Sequence, residues 1–540
     1  MSIVSVHKAR RAAFSSLLLL VFAGLFVYPI ARLLLMPWIP ALEPVGGIGV
    51  HASTIGLSAD AIVNTIRLGL ASTLVAVPLG LGFGWLLERR HWRGKSLFML
   101  TLWLIFLTPS YLLTTGWQIV FSLPMLHHGH LARLFFGQAG IIALLGLKGL
   151  PFACLAARGS WRAIGTEIVD AARIHVAGAW QRHGVLLRLL LPAVGSAFAI
   201  VFIESIQEFG IPATLGAQIH LPIITYAIYE RLAMTPVDFT HAALLSWTLV
   251  VLAAGAASVH FYLGRRFGSA LVHGRQRQSV PPGCGRAEGA VAGVAATALF
   301  TFGIAMPGAA IIHAALWQID PYASVPVPWH TLLYSTLYAS IAALLAVSVA
   351  MLLISGQRRA RGGMAHMVDA MTLGNMAIPG LVLGAAYIIA FNDSWLPLYG
   401  TPTLLVIAYV AAQVPVLVRF LQAPMGQVHA SMSDAARLHG MPWVNRVADI
   451  QAPLLMSPFL WGWTMAFGQV FFELPISELL YPAGRAPVGV AIVTLNQKLH
   501  YTAEARLALA GIALSLAVAG FMALMLRFAM VPNMAKEQAA

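Results

Sequence analysis

The sequence predicts an all-α membrane protein of about twelve transmembrane helices, arranged as two tandem six-helix repeats. The chain of 540 residues is 59% hydrophobic and only 10% charged, whereas soluble domains carry about 25% charged residues. Two successive sets of apolar runs are long enough to cross about 30 Å of hydrocarbon as helices. Because unpaired backbone polar groups are costly in lipid, each run is expected to be helical.

The predicted helices follow the apolar runs in order. Those of the first half lie near residues 14 to 36, 61 to 87, 96 to 121, 138 to 157, 192 to 216 and 241 to 264. Those of the second half lie near 289 to 316, 331 to 355, 365 to 391, 402 to 420, 453 to 480 and 505 to 528. The first run is longer than the core of a secretory signal and no clear cleavage site follows it, so we expect a retained helix. Glycine-rich strings such as PLGLGFG indicate close helix packing.

The basic residues predict the orientation of the chain in the lipid bilayer. If the N-terminus is cytoplasmic, most of the 33 lysines and arginines fall in predicted inner segments, so the positive-inside rule places both termini in the cytoplasm. The net charge of +14 would also suit nucleic-acid binding. Its distribution over short inner loops instead favours membrane topology, and no nucleic-acid partner is expected.

Several strings occur twice, at a nearly constant separation. DAARIH, beginning at Asp170, recurs as DAARLH, beginning at Asp434, and EFGIPATL resembles ELPISELL. A linker rich in proline and glycine, SVPPGCG, lies between the two copies. We therefore predict two repeats, residues 1–287 and 288–540, with the same direction through the membrane and a pseudo-two-fold axis along its normal.

Both DAAR strings follow the fourth predicted helix of their half, where the chain has returned to the cytoplasm. In the second copy, Asp434 suits the positive end of a helix dipole, and Ala435 and Ala436 are strong helix formers. Gly440 can end this turn in a left-handed conformation. An ordinary capped surface helix has the same composition, but two copies at matched topology favour docking to another protein.

The stretch DAARLHGMPWVNRVADIQAP resembles the EAA loop in permease subunits of binding-protein-dependent ABC importers. The family pattern is Glu-Ala-Ala, a glycine six residues after the acid, and then Ile-x-x-Pro. The matching residues of the second copy are Asp434, Ala435, Ala436, Gly440, Ile450 and Pro453. Those of the first copy are Asp170, Ala171 and Ala172, while Val176 occupies the glycine position and Gly178 comes two residues late.

The resemblance extends through the repeat to the whole chain, in particular to the double-length permeases of ferric-iron-type importers. That branch also includes thiamine, polyamine and aminoethylphosphonate importers. It implies a multi-pass protein of the bacterial inner membrane with a type I permease fold, whose EAA helices seat in two copies of a cytoplasmic ABC ATPase subunit. A periplasmic substrate-binding protein would deliver the substrate.

The same resemblance implies that the chain is not an enzyme and holds no cofactor of its own. It contains no G-x-x-x-x-G-K-[ST] phosphate loop, so ATP and Mg would be bound by the partner ATPase. A secondary transporter is the alternative of another class, but it would need no duplicated cytoplasmic helix. An intramembrane enzyme would require a nucleophile-base or metal constellation that the sequence does not offer.

Carboxylates inside the apolar runs are candidates for the translocation pathway, because intramembrane charge is costly unless it faces water or a partner. Glu204 and Glu208 lie on one face of the fifth predicted helix, and Glu473 and Glu478 occupy the corresponding region of the eleventh. Such carboxylates would attract a hard cation. Alternatively, they are solvated at the outer interface or cap the neighbouring backbone. Glu208 and Glu473 are favoured as repeat equivalents.

Two further sets of ionisable residues have less certain roles. Lys148 lies within the fourth predicted helix, and we expect it to pair with a carboxylate, with an anionic substrate group as the alternative. His127, His128 and His130 lie in the outer loop after the third helix. Clustered imidazoles can ligate transition metals, but a solvated loop is favoured and no metal site is predicted.

Overall fold

The architecture is known from a computed structural model. It describes residues 23–39, 42, 55–163, 174, 178–267, 284–318, 326–359, 378–393, 396–427, 432, 435–436 and 438–537. This part of the chain is helical apart from connecting segments and one short antiparallel ribbon, in which Asn392–Asp393 pairs with Leu396–Pro397.

The helices are numbered in chain order. The first half contains α1 (Ala23–Trp38), α2 (Ile55–Arg89), α3 (Lys95–Leu107), α4 (Ser110–Ser122), α5 (Pro124–His127), α6 (His130–Phe135), α7 (Gln138–Ala163), α8 (Ala179–Gln207), the π-helical α9 (Pro212–Gly216), α10 (Ile224–Ala233) and α11 (Phe239–Phe267). The second half contains α12 (Arg286–Leu316), α13 (His330–Arg359), α14 (Gly380–Phe391), α15 (Pro402–Gln427), α16 (Trp443–Arg446), α17 (Ala452–Phe471), α18 (Pro475–Leu480), α19 (Val488–Gln497) and α20 (Tyr501–Glu537). The turn Val447–Gln451 joins α16 to α17.

Eight of the described helices are long and apolar enough to cross a membrane, or nine if α3 and α4 together form one span. The chain is therefore an all-α protein with the helices of a multi-pass membrane protein. The twelve crossings and the tandem repeat stay predictions. The first predicted helix and the one near 365 to 391 lie partly outside the described residues.

Three runs that the sequence predicts as single helices are interrupted. The run near 96 to 121 bends by 102° between α3 and α4. Pro109 lies at this bend and the preceding Thr108 is extended, with ψ of 125°, because a proline disfavours the helical conformation of the residue before it. The run near 192 to 216 breaks at Glu208, and the run near 453 to 480 breaks between α17 and α18. Hydropathy does not register these breaks, because the broken segments remain apolar.

Two short helices lie where the sequence predicts none. The helices α10 and α19 have 10 residues each, which makes them about 15 Å long, about half the thickness of the hydrocarbon core. Most residues of α19 are buried, and α10 buries Ile224, Thr225, Ile228 and Leu232. They were missed because a run this short falls below the length that indicates a crossing helix.

Small residues bring α2 and α7 close together. A Cβ atom added at Gly80 would lie 2.4 Å from the Ala153 Cβ, and one at Gly84 would lie 2.7 Å from the Ala157 Cβ. Only glycine therefore fits at these positions without a shift of the backbone. The close packing predicted from PLGLGFG is confirmed.

Candidate functional site

The interruptions of three helices converge on a cavity of about 270 Å³. It is lined by Pro109, Ser110, Tyr111, Glu204, Gln207, Glu208, Phe209, Gly210, Gly380, Phe472, Glu473, Leu474 and Pro475. Both halves of the chain contribute to it. Non-helical backbone at membrane depth is tolerated where it is buried in protein or lines a water-filled cavity, so the breaks and the cavity belong together.

Glu208 is held by groups from several segments. Its Oε1 atom accepts hydrogen bonds from the Ser110 hydroxyl at 2.5 Å and from the Gly210 N–H at 2.8 Å. Its backbone carbonyl accepts one from the Thr225 hydroxyl at 2.9 Å. A Cβ at Gly210 would lie 2.4 Å from the Ser110 Oγ, so this approach depends on glycine. The carboxylate is fixed at the wall of the cavity.

Glu473 is fixed in a different way. Its Oε1 accepts from the Ile476 N–H at 2.7 Å, and its Oε2 accepts from the Ser477 N–H at 2.9 Å and the Ser477 hydroxyl at 2.6 Å. A carboxylate is favourable at this end of a helix, where N–H groups lack intrahelical partners. Glu473 thus lines the cavity and also caps α18, the alternative that the sequence had left open for these carboxylates.

The remaining two predicted carboxylates lie in different surroundings. Glu204 lines the cavity; its side chain is exposed there and has no hydrogen-bond partner among the described residues. Glu478 is not one of the lining residues, and its side chain is hydrogen-bonded to Tyr229 of α10. The structure therefore brings Glu204, Glu208 and Glu473 together, and separates Glu478 from them.

Lys148 caps a helix rather than facing the cavity. Its Nζ donates to the carbonyl oxygens of Ile105, Phe106 and Thr108, at 2.9, 3.1 and 2.7 Å. These carbonyls end α3 at the bend, where a cation is favourable against the helix dipole. The expected ion pair with a carboxylate is not among its described contacts, and Lys148 does not line the cavity. Lys148 can make these contacts because α3 ends at the bend before α4, which the sequence did not predict.

The three histidines that follow α4 are exposed. His127 ends α5, His128 follows it, and their rings lie 5.2 Å apart. His130 begins α6. No group of three or more potential metal ligands occurs within the described ranges.

The second DAAR segment ends as its sequence predicts. Gly440 has a φ of 76°, and the Met441 N–H donates to the Ala436 carbonyl at 3.0 Å. This is the bond of a Schellman motif, in which a left-handed glycine ends a helical turn. Ala435 and Ala436 are helical, whereas Asp434 lies outside the described residues. Leu438, next to the bend, is 88% exposed.

The first DAAR segment is described only in part. Asp170, Ala171 and Ala172 lie outside the described residues. Gly178 has φ of −86° and ψ of 132° and immediately precedes α8, so it does not form a left-handed bend equivalent to that at Gly440. Ile174, which the repeat aligns with Leu438, is 79% exposed.

Sequence reasoning missed the uncharged residues of the site. Ser110 holds Glu208, and the Tyr111 hydroxyl donates to the Phe472 carbonyl at 3.1 Å, which joins the two halves beside the cavity. The repeat aligns Pro109 with Pro379, and both precede a helix with nearly the same backbone conformation, φ and ψ of −55° and 139° against −57° and 141°. This aligned pair of prolines could have predicted from the sequence that the helix is interrupted before α4.

Comparisons with known proteins agree with the predicted resemblance. Residues 52–269 match the sequence model of a family described as the binding-protein-dependent transport system inner membrane component. The match lies in the first half of the chain, includes the first DAAR string and supports the predicted resemblance there.

The individual proteins that match this chain include several named as transport permeases. The chain is 24% identical over 356 residues to the putative ferric transport system permease protein FbpB 1 of Haemophilus influenzae, covering 60% of this chain and 54% of that protein. It is 24% identical over 331 residues to the ferric transport system permease protein FbpB of Actinobacillus pleuropneumoniae, covering 56% and 46%. The matches thus span about half the length of these two relatives. The molybdenum transport system permease protein ModB of Escherichia coli is 26% identical over 218 residues, 38% of this chain and 93% of that protein.

Proposed function

We propose that this chain is the membrane-spanning permease subunit of an ATP-driven importer, which passes substrate from a periplasmic binding protein into the cytoplasm. The observation that carries the proposal is the Schellman bend at Gly440, which ends the DAAR string in the conformation that the family's glycine allows. The family match over residues 52–269, which contains the other DAAR string, supports it independently.

The proposed partners are two copies of a cytoplasmic ATPase subunit, one under each DAAR segment, which bind ATP and Mg. Leu438 and Ile174 support this arrangement, because they expose large apolar side chains at aligned positions of the two segments. Burial of exposed apolar surface is a favourable term in most protein–protein association. The chain itself is proposed to lie in a bacterial inner membrane with both termini in the cytoplasm, as its basic residues favour.

Two parallel repeats are part of the same proposal. Their support is the order of the described helices: a long α8 followed by the short α9 and α10 and the long α11 has its counterpart in α17 to α20. The matched backbone at Pro109 and Pro379 adds to it. A cavity at the junction of such repeats is the expected position of a transport pathway.

The proposed substrate is ferric iron. Among the described residues that line the cavity, three are glutamates and none is basic, and hard cations prefer oxygen ligands. An oxyanion would instead need cationic hydrogen-bond donors, and the nearby Lys148 is already bonded to three carbonyls. The ferric relatives named above are therefore better guides than the molybdenum permease. Thiamine, polyamines and aminoethylphosphonate remain the alternatives within this architecture.

The proposal is tested by reconstitution with an ABC ATPase and a periplasmic binding protein from the same organism. We expect one permease to purify with two ATPase subunits, and proteoliposomes to accumulate ferric iron only with ATP and the binding protein. A secondary transporter would accumulate substrate without the ATPase when an ion gradient is imposed, and that result would replace the proposal.

A further inference from the structure

A fully buried polar cluster joins the two halves away from the cavity. Thr115 and Gln118 of α4 meet Asn496 of α19 and Glu504 of α20, and all four side chains have no exposed surface. The Glu504 carboxyl contacts the Thr115 hydroxyl. The Asn496 Nδ2 lies 2.8 Å from the Gln118 Oε1 and 3.1 Å from each oxygen of Glu504. The sequence contains no motif at these positions.

A proton on Glu504 gives a hydrogen to each short contact of this cluster. Thr115 has one hydroxyl hydrogen but two acceptors, the Tyr111 carbonyl at 2.9 Å and the Glu504 Oε1. Threonine in a helix commonly donates to the carbonyl four residues earlier. A hydrogen on Glu504 would then complete the contact with Thr115, leaving the Asn496 amide to donate to the other carboxyl oxygen and to Gln118.

No positive charge in the described part of the chain compensates Glu504. None of the described ion pairs includes it. Burying an unpaired carboxylate costs several kcal/mol, and the group usually becomes neutral instead. The other ionisable groups on the elements packed here include Tyr111 on α4, His313 on α12, Glu473 after α17, Lys498 and His500 after α19, and Tyr501 and Arg506 on α20. Arg286 and Glu288 lie at the far end of α12, and Arg527 lies about six turns along α20 from Glu504. Of the cations, Lys498 is exposed and the Arg506 Nε donates to the Ala315 carbonyl.

We propose that Glu504 is a proton-binding site that locks the two halves together. In the closed arrangement the neutral carboxyl bonds to Thr115 and Asn496. When the halves separate, water reaches the carboxyl, the proton passes to water, and the resulting carboxylate opposes return to the buried site. Closure therefore takes up one proton and opening releases one.

The network around Glu504 is only partly satisfied, which suits a contact that opens and closes. The Gln118 Nε2 and the Asn496 Oδ1 are buried and have no partner among the described residues, so the network is incompletely satisfied, which weakens it. Two polar contacts beside the network also join the halves: the Gln218 Nε2 donates to the Tyr501 hydroxyl at 3.1 Å, and the Gln497 Nε2 to the Ala213 carbonyl at 3.1 Å. Apolar packing of α4 against α12 adjoins them, with Trp117 stacked on Phe302. Ionisation of Glu504 would disfavour the closed arrangement, because the carboxylate would be buried there without a cation.

The test measures the separation of the halves as a function of pH. Spin labels are placed at Met125→Cys and Tyr399→Cys, one on each half, in a Cys284→Ser background that retains the buried Cys154. The purified permease is studied in lipid nanodiscs without ATPase, so the result does not depend on the proposed import function. With Glu504 present, the ratio of open to closed molecules should rise with pH, by about tenfold per pH unit where one proton is released.

Substitution at Glu504 separates the proposal from a purely structural role. Glu504→Gln keeps the size and neutrality of the protonated acid, so it should stay closed and lose the pH dependence, whereas the control Glu288→Gln should keep it. An unchanged slope in Glu504→Gln, or no slope in the wild type, would overturn the proposal.

Infrared spectroscopy gives a readout that does not require Glu504→Gln to fold. The carbonyl stretching band of the protonated acid should be present in the wild type at neutral pH. It should shift in Thr115→Val, which removes the hydroxyl but keeps the volume of the side chain. A wild-type band that Thr115→Val leaves unchanged would contradict a proton shared with Thr115.

Discussion

The Ser110 hydroxyl lies 2.5 Å from the Glu208 carboxylate, so the residue that begins α4 contacts the residue at which α8 has just ended. The aligned position in the second half is Gly380, which has no hydroxyl. Glu473, the repeat equivalent of Glu208, bonds instead to Ile476 and Ser477 of its own segment. The two carboxylates that the repeat relates are therefore held by different means, and substitutions should distinguish them.

Ser110→Ala should slow import without affecting assembly. The change removes the hydroxyl donor and leaves the Glu208 carboxylate with only the Gly210 N–H at that oxygen. A hydrogen bond to a charged group contributes about 1.5–3 kcal/mol, so a loss of about tenfold or more in ATP-driven iron uptake is expected. The control is Ser258→Ala, whose exposed hydroxyl donates to the Ala254 carbonyl of its own helix. Equal uptake by the Ser110 and Ser258 variants would exclude a role for this contact.

Glu208→Gln combined with Glu473→Gln should abolish iron uptake while the complex with the ATPase still forms. Glutamine keeps the volume of each side chain but removes two of the three carboxyl groups that line the cavity, and a hard cation needs those oxygens. The control is Glu478→Gln, which lies outside the lining. Normal uptake by the double variant would show that both glutamates are structural. The names of the relatives would then be the remaining support for iron as the substrate.

Glu473→Gln by itself should lower stability more than Glu208→Gln does. Glu473 satisfies two N–H groups of α18 and a hydroxyl, and loss of a helix cap costs about 0.5–2 kcal/mol. The melting temperature of the purified permease, measured by tryptophan fluorescence, should therefore fall for Glu473→Gln. A larger decrease for Glu208→Gln would reverse the assignment of these two roles.

Lys148→Met should reduce stability and leave substrate selectivity unchanged. The ammonium stabilises the end of α3 through three carbonyls, so its removal leaves those carbonyls unpaired in a buried region. Lys148→Arg, which keeps a charged donor, should be milder. Thermal unfolding and the KM for iron uptake check this prediction. A change in KM or in substrate preference at unchanged stability would indicate that Lys148 contacts the substrate after all.

Gly440→Val should uncouple ATP hydrolysis from import. A Cβ at this position would meet no atom within 4 Å, and the φ is 76°, so the expected effect comes from the backbone alone. A residue other than glycine pays about 1–2 kcal/mol in this conformation, and asparagine tolerates it better. Gly440→Asn should therefore retain more transport than Gly440→Val when uptake per ATP hydrolysed is measured. Equal coupling in the two variants would remove the bend from the mechanism.

The sequence by itself determined the features that are encoded locally. The apolar runs predicted apolar helices, of which eight among the described residues are long enough to cross a membrane, because lipid imposes its requirement on each run separately. The glycines of PLGLGFG predicted close packing, and Gly440 predicted a left-handed end to its turn. Each of these depends on a few consecutive residues.

Only the tertiary structure decided which polar groups meet. Ser110 reaches Glu208 across 98 positions, and Thr115 reaches Glu504 across 389. The sequence therefore predicted an ion pair for Lys148, where the structure has a helix cap, and it overlooked Glu504 entirely. A glutamate caps a helix at position 473, lines the cavity at 208 and is fully buried at 504. These roles differ because the cost of burying a carboxylate depends on the partners that distant segments bring to it, and not on its neighbours in the chain.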